Sequence, residues 1–323
     1  IAVGTNPHQH PDISTDLECV INSDDILQLT ELPRSIIVIG CGIIGLEYAS
    51  MFAMLGVEVT VIDGRERPLE FLDSEILDEL KHQLRDNLVT FRFGEAVAVI
   101  EQRNGPPRQA MVRLESGKRL VGDMVLACTG RIGASDELEL DRAGLIVDAR
   151  GRIEVDNSFR SEVPHIFAAG DIIGHPSLAA TSSEQGRLAA CHAFSVTAGP
   201  MSAHFPVGIY SIPEISMVGE PEHELTRQKI PYETGVARYR EIARGHILGD
   251  DSGMLKLIFH AETRVLLGVH VIGTGATELI HIGQAVLGLG GGLSYFLETV
   301  FNYPTLAECY KVAALDAYNK LSQ

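Results

Sequence analysis

The sequence predicts an α/β fold through its first two thirds and an α+β unit after it, on three observations. Residues 35–63 read as strand, glycine-rich turn, helix, strand and a closing acid. The apolar run Met124-Val125-Leu126-Ala127-Cys128 supplies a further strand suited to burial on both faces. From Phe205 onward, strand patterns cluster together and helical patterns follow them, with no alternation between the two.

In chain order, Ile1-Ala2-Val3-Gly4-Thr5-Asn6-Pro7 reads as a strand running into a turn. A chain seldom begins inside a strand, so the expectation is the C-terminal part of something longer. Residues 8–34 are polar and irregular, with a short helix near Asp24 to Leu29 and a break at Pro33. His8 and His10 have no third or fourth ligand at metal-site spacing, and a proline-bounded loop accounts for them.

The strand Ser35 to Ile39 then leads into Gly40-Cys41-Gly42-Ile43-Ile44-Gly45, an alanine- and methionine-rich helix to Leu55, and the strand Val57 to Ile62. Gly40 permits the tight turn and Gly42 lets backbone approach a pyrophosphate. Gly45 lets the helix lie close on the sheet, so that amides at Ile43 and Ile44 face the phosphates. A glycine triplet alone is weak. Strand before, helix after and the acid Asp63 about 20 residues on make it a Rossmann-type dinucleotide fingerprint. Asp63 suits the ribose hydroxyls of NAD, whereas Arg65 and Arg67 suit the 2′-phosphate of NADP. A site taking both nucleotides is expected, solvated loop charges being the alternative for the arginines.

A loop with Pro68 precedes the helix Asp73 to Leu84, where positions 76, 77, 80 and 84 share an apolar face and acids fill the first turn. Short strands at 88–93, 96–101 and 109–115, a turn at Ser116-Gly117-Lys118 and the 124–128 run imply a parallel unit carrying an antiparallel meander. Residues 151–160 read as an exposed strand, and His165 to Ala169 as a short one ending in Gly170-Asp171. A helix from about Ser183 to Phe194 follows, and Gly199-Pro200 marks a boundary. Strands are expected near 208–211, 216–218, 232–239, 253–260 and 263–273, the last of them central, then helices near 276–288 and 305–321. No apolar strand leads into the glycine run 289–292, which makes it a flexible turn and not a phosphate loop.

Composition narrows the function. The 323 residues are 45% hydrophobic and 21% charged, with a net charge of −17 that disfavours nucleic acid and anionic membrane surfaces as partners. Neither a membrane-spanning stretch nor a basic-then-apolar signal pattern is present in the sequence, so a cytoplasmic protein is expected. The five cysteines include no close pair, which argues against a disulfide framework or a zinc site. They read as small buried hydrophobes in a reducing compartment, a reactive thiol at Cys309, beside Glu308 and Tyr310, being the alternative.

Four separated segments fit one scheme: Ile1 to Thr5, Gly40 to Gly45, Leu126-Ala127-Cys128-Thr129-Gly130-Arg131 and Ile166-Phe167-Ala168-Ala169-Gly170-Asp171. Together they resemble the flavoprotein disulfide reductase family, which includes dihydrolipoamide dehydrogenase and glutathione reductase. The resemblance covers essentially the whole chain. It implies remnants of an FAD domain at 1–34 and 156–200, an NAD(P)-binding Rossmann domain at 35–155, and an α+β dimerisation domain at 201–323 that makes a homodimer. The resemblance also makes cofactor-binding residues of Gly4, in the segment that leaves the FAD domain, and of Gly130, in a segment of the NAD(P) domain. By the same resemblance Asp171 accepts a hydrogen bond from the flavin ribityl chain, the backbone of Leu178 and Ala179 lies near the flavin ring, and Glu47 lies near the nicotinamide pocket.

Two departures matter. The family's first stretch of roughly 140 residues, with its own glycine fingerprint for FAD, has no counterpart here. Disulfide-reducing members also carry His-Pro-Thr followed by Glu, the histidine handling thiol protons, whereas this chain has Tyr303-Pro304-Thr305 followed by Glu308. A phenol with a reference pKa of about 10 is a poor base near neutrality. Hydride transfer between nicotinamide and flavin needs no such base. The resemblance, with Pro206 to Ser216 and Phe301 to Thr305, therefore implies FAD-dependent hydride transfer from NADPH to NAD+, with Tyr303 and Glu308 beside the flavin of the partner subunit. A dihydrolipoamide dehydrogenase-like oxidoreductase, or a non-catalytic nucleotide-binding and dimerising module, are the alternatives.

Overall fold

The computed structural model describes residues 1–9, 13, 18–103 and 109–322; His10 lies outside the described residues. A five-stranded parallel sheet runs in the order Val20–Asn22, Met124–Ala127, Ser35–Ile39, Glu58–Asp63, Val89–Phe93. Its central strand is almost wholly buried because both faces are covered, as a continuous apolar run requires. On one face Leu46 and Phe52 of the Ile43–Met54 helix, and Ile76, Leu80 and Leu84 of the Ser74–Asp86 helix, pack on Ile36, Val38, Val59 and Val61. On the other, Ile37, Ile39, Ile62 and Val125 meet Ala110, Val112 and Leu114 of a three-stranded antiparallel meander, Val97–Arg103, Gln109–Leu114 and Arg119–Gly122.

Between the two sheet units the chain is less regular than the sequence predicts. Residues 151–160 and 165–169 form no strands, only isolated bridges at Ile153 and between Arg160 and Phe167. The cause is local: Asp148 Oδ1 accepts from the backbone N–H groups of Arg150 and Arg152, and Asp156 Oδ1 from those of Ser158 and Arg160. These side-chain turns take the donors that a strand ladder would use. The expected 183–194 helix starts earlier, at Ala179, with Leu178 as its extended N-cap. The helix expected at 24–29 is a single 3₁₀ turn, Asp25–Gln28.

After residue 205 a five-stranded antiparallel sheet runs Val207–Ile209, Ile215–Gly219, Leu266–Ile272, Met254–His260, Tyr232–Arg238, with the 266–272 strand in the middle as its apolarity predicts. The Ala276–Gly288 and Glu308–Leu321 helices cover it. Helix and strand approach closely at Gly235, where a Cβ would lie 1.9 Å from the Ala313 carbonyl oxygen. Three helices absent from the sequence expectation, Glu222–Gln228, Ala243–Leu248 and Leu293–Glu298, have six or seven residues each, too few for an apolar period to register.

This second unit is bolted to the first. Glu47 Oε1 accepts from the Tyr210 N–H at 2.8 Å and Ser50 Oγ from the Ile212 N–H at 3.1 Å, tying the first helix to the 210–212 segment. At the second helix, Lys256 of the antiparallel sheet, with no exposed side chain, donates to Asp73 at 3.0 Å and pairs with Glu75 at 3.1 Å and with Glu222. Asp73 also caps its own helix by accepting from the Glu75 N–H. Burial pushes the Lys256 ammonium down, but Asp73 and Glu222 outweigh it and hold the group up at about 12.

Candidate functional site

The glycine turn has the shape that its three glycines predict. Gly40 sits at φ +100°, and a side chain there would meet the Cys128 carbonyl oxygen at 2.2 Å. A side chain at Gly45 would meet the Gly40 carbonyl oxygen at 2.0 Å, which is what lets the helix start directly against the turn. Gly42 differs from both: no atom lies within 4 Å of the position a Cβ would take. Gly42 is also the N-cap of the Ile43–Met54 helix and supplies no side-chain cap, so the N–H groups of the first turn, Ile43 and Ile44 among them, face outward without a capping partner.

That outward side opens into a cavity of about 1000 Å³. Gly42 to Gly45 and Cys128, Gly130 and Arg131 form one wall, Asp171 and Gly174 to Leu178 a second, and Met217 to Glu220 a third. The structure thus gathers into one space the ends of three segments far apart in sequence. Its size lies at the upper end of the ~300–1000 Å³ usual for ligand sites, and it sits beyond the carboxyl ends of the parallel strands, where open α/β sheets bind ligands.

Asp63, at the end of its strand and nearly buried, uses its carboxylate fully. It accepts from the Cys41 N–H at 2.7 Å, from the Arg65 N–H at 2.9 Å, and from Arg65 Nε and Nη2 at 2.9 and 2.7 Å. Burial raises this carboxyl, but the Arg65 side chain and the Arg65 and Cys41 amides more than reverse it, holding Asp63 below the ordinary carboxylate range. Arg65 Nη2 also lies 3.5 Å from the Cys41 carbonyl oxygen, which sets the guanidinium over the glycine turn while leaving its side chain 59% exposed. Arg67 is fully on the surface.

Of the residues expected at a flavin, Asp171 and Leu178 line the cavity, whereas Ala179, the first helical residue, is exposed outside that lining. Gly130, at φ +111° and with open space on its Cα, lines the cavity too. Gly4 lies one residue away from the lining residue Thr5, and its carbonyl accepts from the Ala134 N–H at 3.0 Å. The turn before Asp171 is held by a residue that the sequence does not flag: buried Gln185 accepts from the Gly170 N–H at 2.8 Å through Oε1. Phe71, Arg152 and His175 also line the cavity without belonging to any motif.

Glu47 faces the second unit, its carboxylate taken by the Tyr210 N–H; burial raises this carboxyl and that hydrogen bond partly offsets the rise. Tyr303 lies apart from the cavity lining, 71% exposed, and Glu308 begins the last helix with Oε2 enclosed and without a hydrogen-bond partner. Cys309 is fully buried, and burial pushes its thiol up to about 12, which removes it as a reactive thiol. Burial does the same to Cys41 and Cys128 beside the glycine turn.

The uncapped helix start over Gly42 suits a nucleotide pyrophosphate, and the Asp171 to Leu178 wall faces it across the same cavity. No helix among the described residues is long and apolar enough to cross a membrane.

Comparison with known proteins agrees with this geometry. Residues 1–186 match the family model described as pyridine nucleotide-disulphide oxidoreductase, and residues 205–314 the dimerisation domain of the same family. Proteins named soluble pyridine nucleotide transhydrogenase are similar throughout: one from Mycobacterium bovis is 53% identical over 99% of this chain and 68% of its own length. One from Hahella chejuensis is 46% identical over 99% of this chain and 69% of its own length. Among solved structures, the HOCl-induced flavoprotein disulfide reductase RclA from Escherichia coli superposes with a TM-score of 0.90 at 26% identity, over 97% of this chain and 72% of that one. LpdA from Mycobacterium tuberculosis gives a TM-score of 0.89 at 25% identity, over 97% and 68%.

Proposed function

This chain belongs to the pyridine nucleotide-disulphide oxidoreductase family, and from that premise we propose that it forms the nicotinamide-nucleotide and subunit-pairing part of a flavin-dependent transhydrogenase. The reaction is hydride transfer from NADPH to NAD+. The observation that carries this reading is the open, uncapped helix start at Gly42, next to the paired Asp63 and Arg65 at one strand end. Tyr303 in the place of a thiol-handling histidine favours nicotinamide chemistry over disulfide reduction, and so do the names of the similar transhydrogenases.

In this reading the amides of Ile43 and Ile44 receive the pyrophosphate across Gly42, while Asp63 and Arg65 read the adenosine ribose. Arg67 extends the positive charge at the rim. Asp171 and the Leu178 and Ala179 backbone hold a flavin, with Gly4 and Gly130 shaping the crossing strands. The chemistry of a bound FAD is hydride storage between two nicotinamides. Glu47 positions the nucleotide helix against the second unit. Residues 35–155 are the nucleotide domain, 1–34 and 156–200 belong to a flavin domain, and 201–323 pairs two subunits into a homodimer, placing Tyr303 and Glu308 beside the flavin of the partner subunit. Five unpaired cysteines suit work in the reducing cytoplasm.

The test is a mixture of protein, added FAD, NADPH and thio-NAD+, whose reduced form absorbs to the red of NADPH. Growth of the thio-NADH band supports the proposal. Reduction of lipoamide in place of thio-NAD+ would replace it with a dihydrolipoamide dehydrogenase-like activity.

A further inference from the structure

We infer that Asp63 and Arg65 work as an exchangeable ion pair through which one turn accepts both NADP(H) and NAD(H), Arg65 leaving Asp63 for a 2′-phosphate and yielding its place on Asp63 to a 2′-hydroxyl. The inference rests on the nucleotide-site reading of the glycine turn. It goes beyond it in assigning opposite effects of one side chain on two ligands.

The argument starts from saturation. A carboxylate offers about four acceptor sites, and four N–H donors already occupy Asp63. A ribose hydroxyl arriving at this carboxylate must displace one of them. Two of the four are backbone amides, Cys41 and Arg65, fixed by the turn itself. The displaceable donors are therefore Nε and Nη2 of Arg65, on a side chain that is 59% exposed. Its guanidinium lies 3.5 Å from the Cys41 carbonyl oxygen, so it needs no long excursion to reach a ligand seated on the Gly42 side.

The pair balances its own charge in either state. With a 2′-phosphate bound, the guanidinium forks onto phosphate oxygens, a geometry it matches as well as it matches a carboxylate. Asp63 then keeps its two backbone amides and is not left as a bare buried anion. With a 2′-hydroxyl bound, the hydroxyl replaces one guanidinium N–H on Asp63, and Arg65 remains beside the carboxylate. An acid alone repels the 2′-phosphate; an arginine alone gives the hydroxyl no acceptor.

The test is direct binding of NADH and NADPH, followed by the fluorescence of the reduced nucleotide, to the parent chain and to Arg65→Ala and Arg65→Lys. Arg34→Ala, which removes an exposed arginine paired with Asp123 at the opposite end of the sheet, serves as the charge-matched control. Loss of one charge-assisted contact corresponds to about tenfold in affinity. Arg65→Ala is expected to weaken NADPH by about that factor and to strengthen NADH, because two acceptor positions on Asp63 fall free. Arg65→Lys keeps the charge without the fork and is expected to lie between parent and alanine for NADPH. Added salt is expected to weaken NADPH more in the parent than in Arg65→Ala, which keeps Arg67 but lacks the guanidinium contact. An Arg65→Ala chain that weakens both nucleotides equally, or leaves NADH unchanged, overturns the exchange while leaving the nucleotide site standing. A parent that binds neither nucleotide overturns the nucleotide site and the exchange with it.

Discussion

Replacement of Lys256 by methionine tests what joins the two sheet units. The ammonium is fully enclosed and shared among Asp73, Glu75 and Glu222, and Asp73 is itself wholly buried. At an effective dielectric near 20, unit charges 4 Å apart attract by about 4 kcal/mol. Desolvation of the ammonium offsets much of this in the native chain, but the variant keeps a buried carboxylate with its cation gone. The cost of breaking such a pair is about 3–5 kcal/mol. Because the chain has no tryptophan, far-UV circular dichroism in a urea titration is the suitable readout. A shift of the midpoint to lower urea is expected, with the cost shrinking as acid protonates Asp73. The double variant Lys256→Met, Asp73→Asn should recover part of the loss, since asparagine still caps the Ser74–Asp86 helix and carries no charge. A Lys256→Met unfolding free energy within about 1 kcal/mol of the parent would show that water already screens these carboxylates, and the reasoning would fail.

Other outcomes follow from the same geometry. Gly45→Ala drives a methyl into the Gly40 carbonyl and should destabilise the fold by on the order of 3 kcal/mol, measured by thermal melting. Gly42→Ala should melt like the parent yet lose NADH binding, because its methyl projects into open space that the ligand needs. Acid should destabilise the chain in two ranges of a pH-dependent urea titration. Burial pushes His270 below its ordinary value, so its contribution is complete above about pH 6.5 and lost as pH falls below it. Asp63 and Asp73 are both held low, Asp73 because the His270 and Lys256 charges and hydrogen bonds from Lys256 and Glu222 reverse the effect of burial; their contribution is complete above about pH 4 and lost on further acidification. A thiol reagent should modify half-exposed Cys191 in the native chain, while buried Cys19, Cys41 and Cys309 react only after denaturant is added.

How much of this was legible in the sequence depends on whether the signal was local. The Gly40 to Asp63 unit could be read because a turn, a helix start and an acid at a strand end are short-range requirements, each met by a particular residue type. The central 266–272 strand could be read from an unbroken apolar run. Residues 151–160 could not, because Asp148 and Asp156 redirect a strand-like alternation into side-chain turns. Lys256 left only a faint trace, a lysine inside the apolar run Met254 to Phe259, and its three carboxylates come from two other segments. Gln185 left none, since an exposed-looking glutamine becomes a buried turn clamp only when helix and loop meet. Asp63 and Arg65 were visible as types, but their mutual engagement, which makes them one device, was not.

The Glu47 to Tyr210 and Ser50 to Ile212 hydrogen bonds have a mechanical consequence. The acceptors are Glu47, a side chain in the second turn of the Ile43–Met54 helix, and Ser50 just past it, and both donors are backbone groups of the other unit. Swinging that helix aside would break both hydrogen bonds, at a net cost of about 1 kcal/mol each because Tyr210 and Ile212 are exposed and water can take over their N–H groups. Under the proposed exchange, both nucleotides would meet this helix tethered to the second unit in the same way.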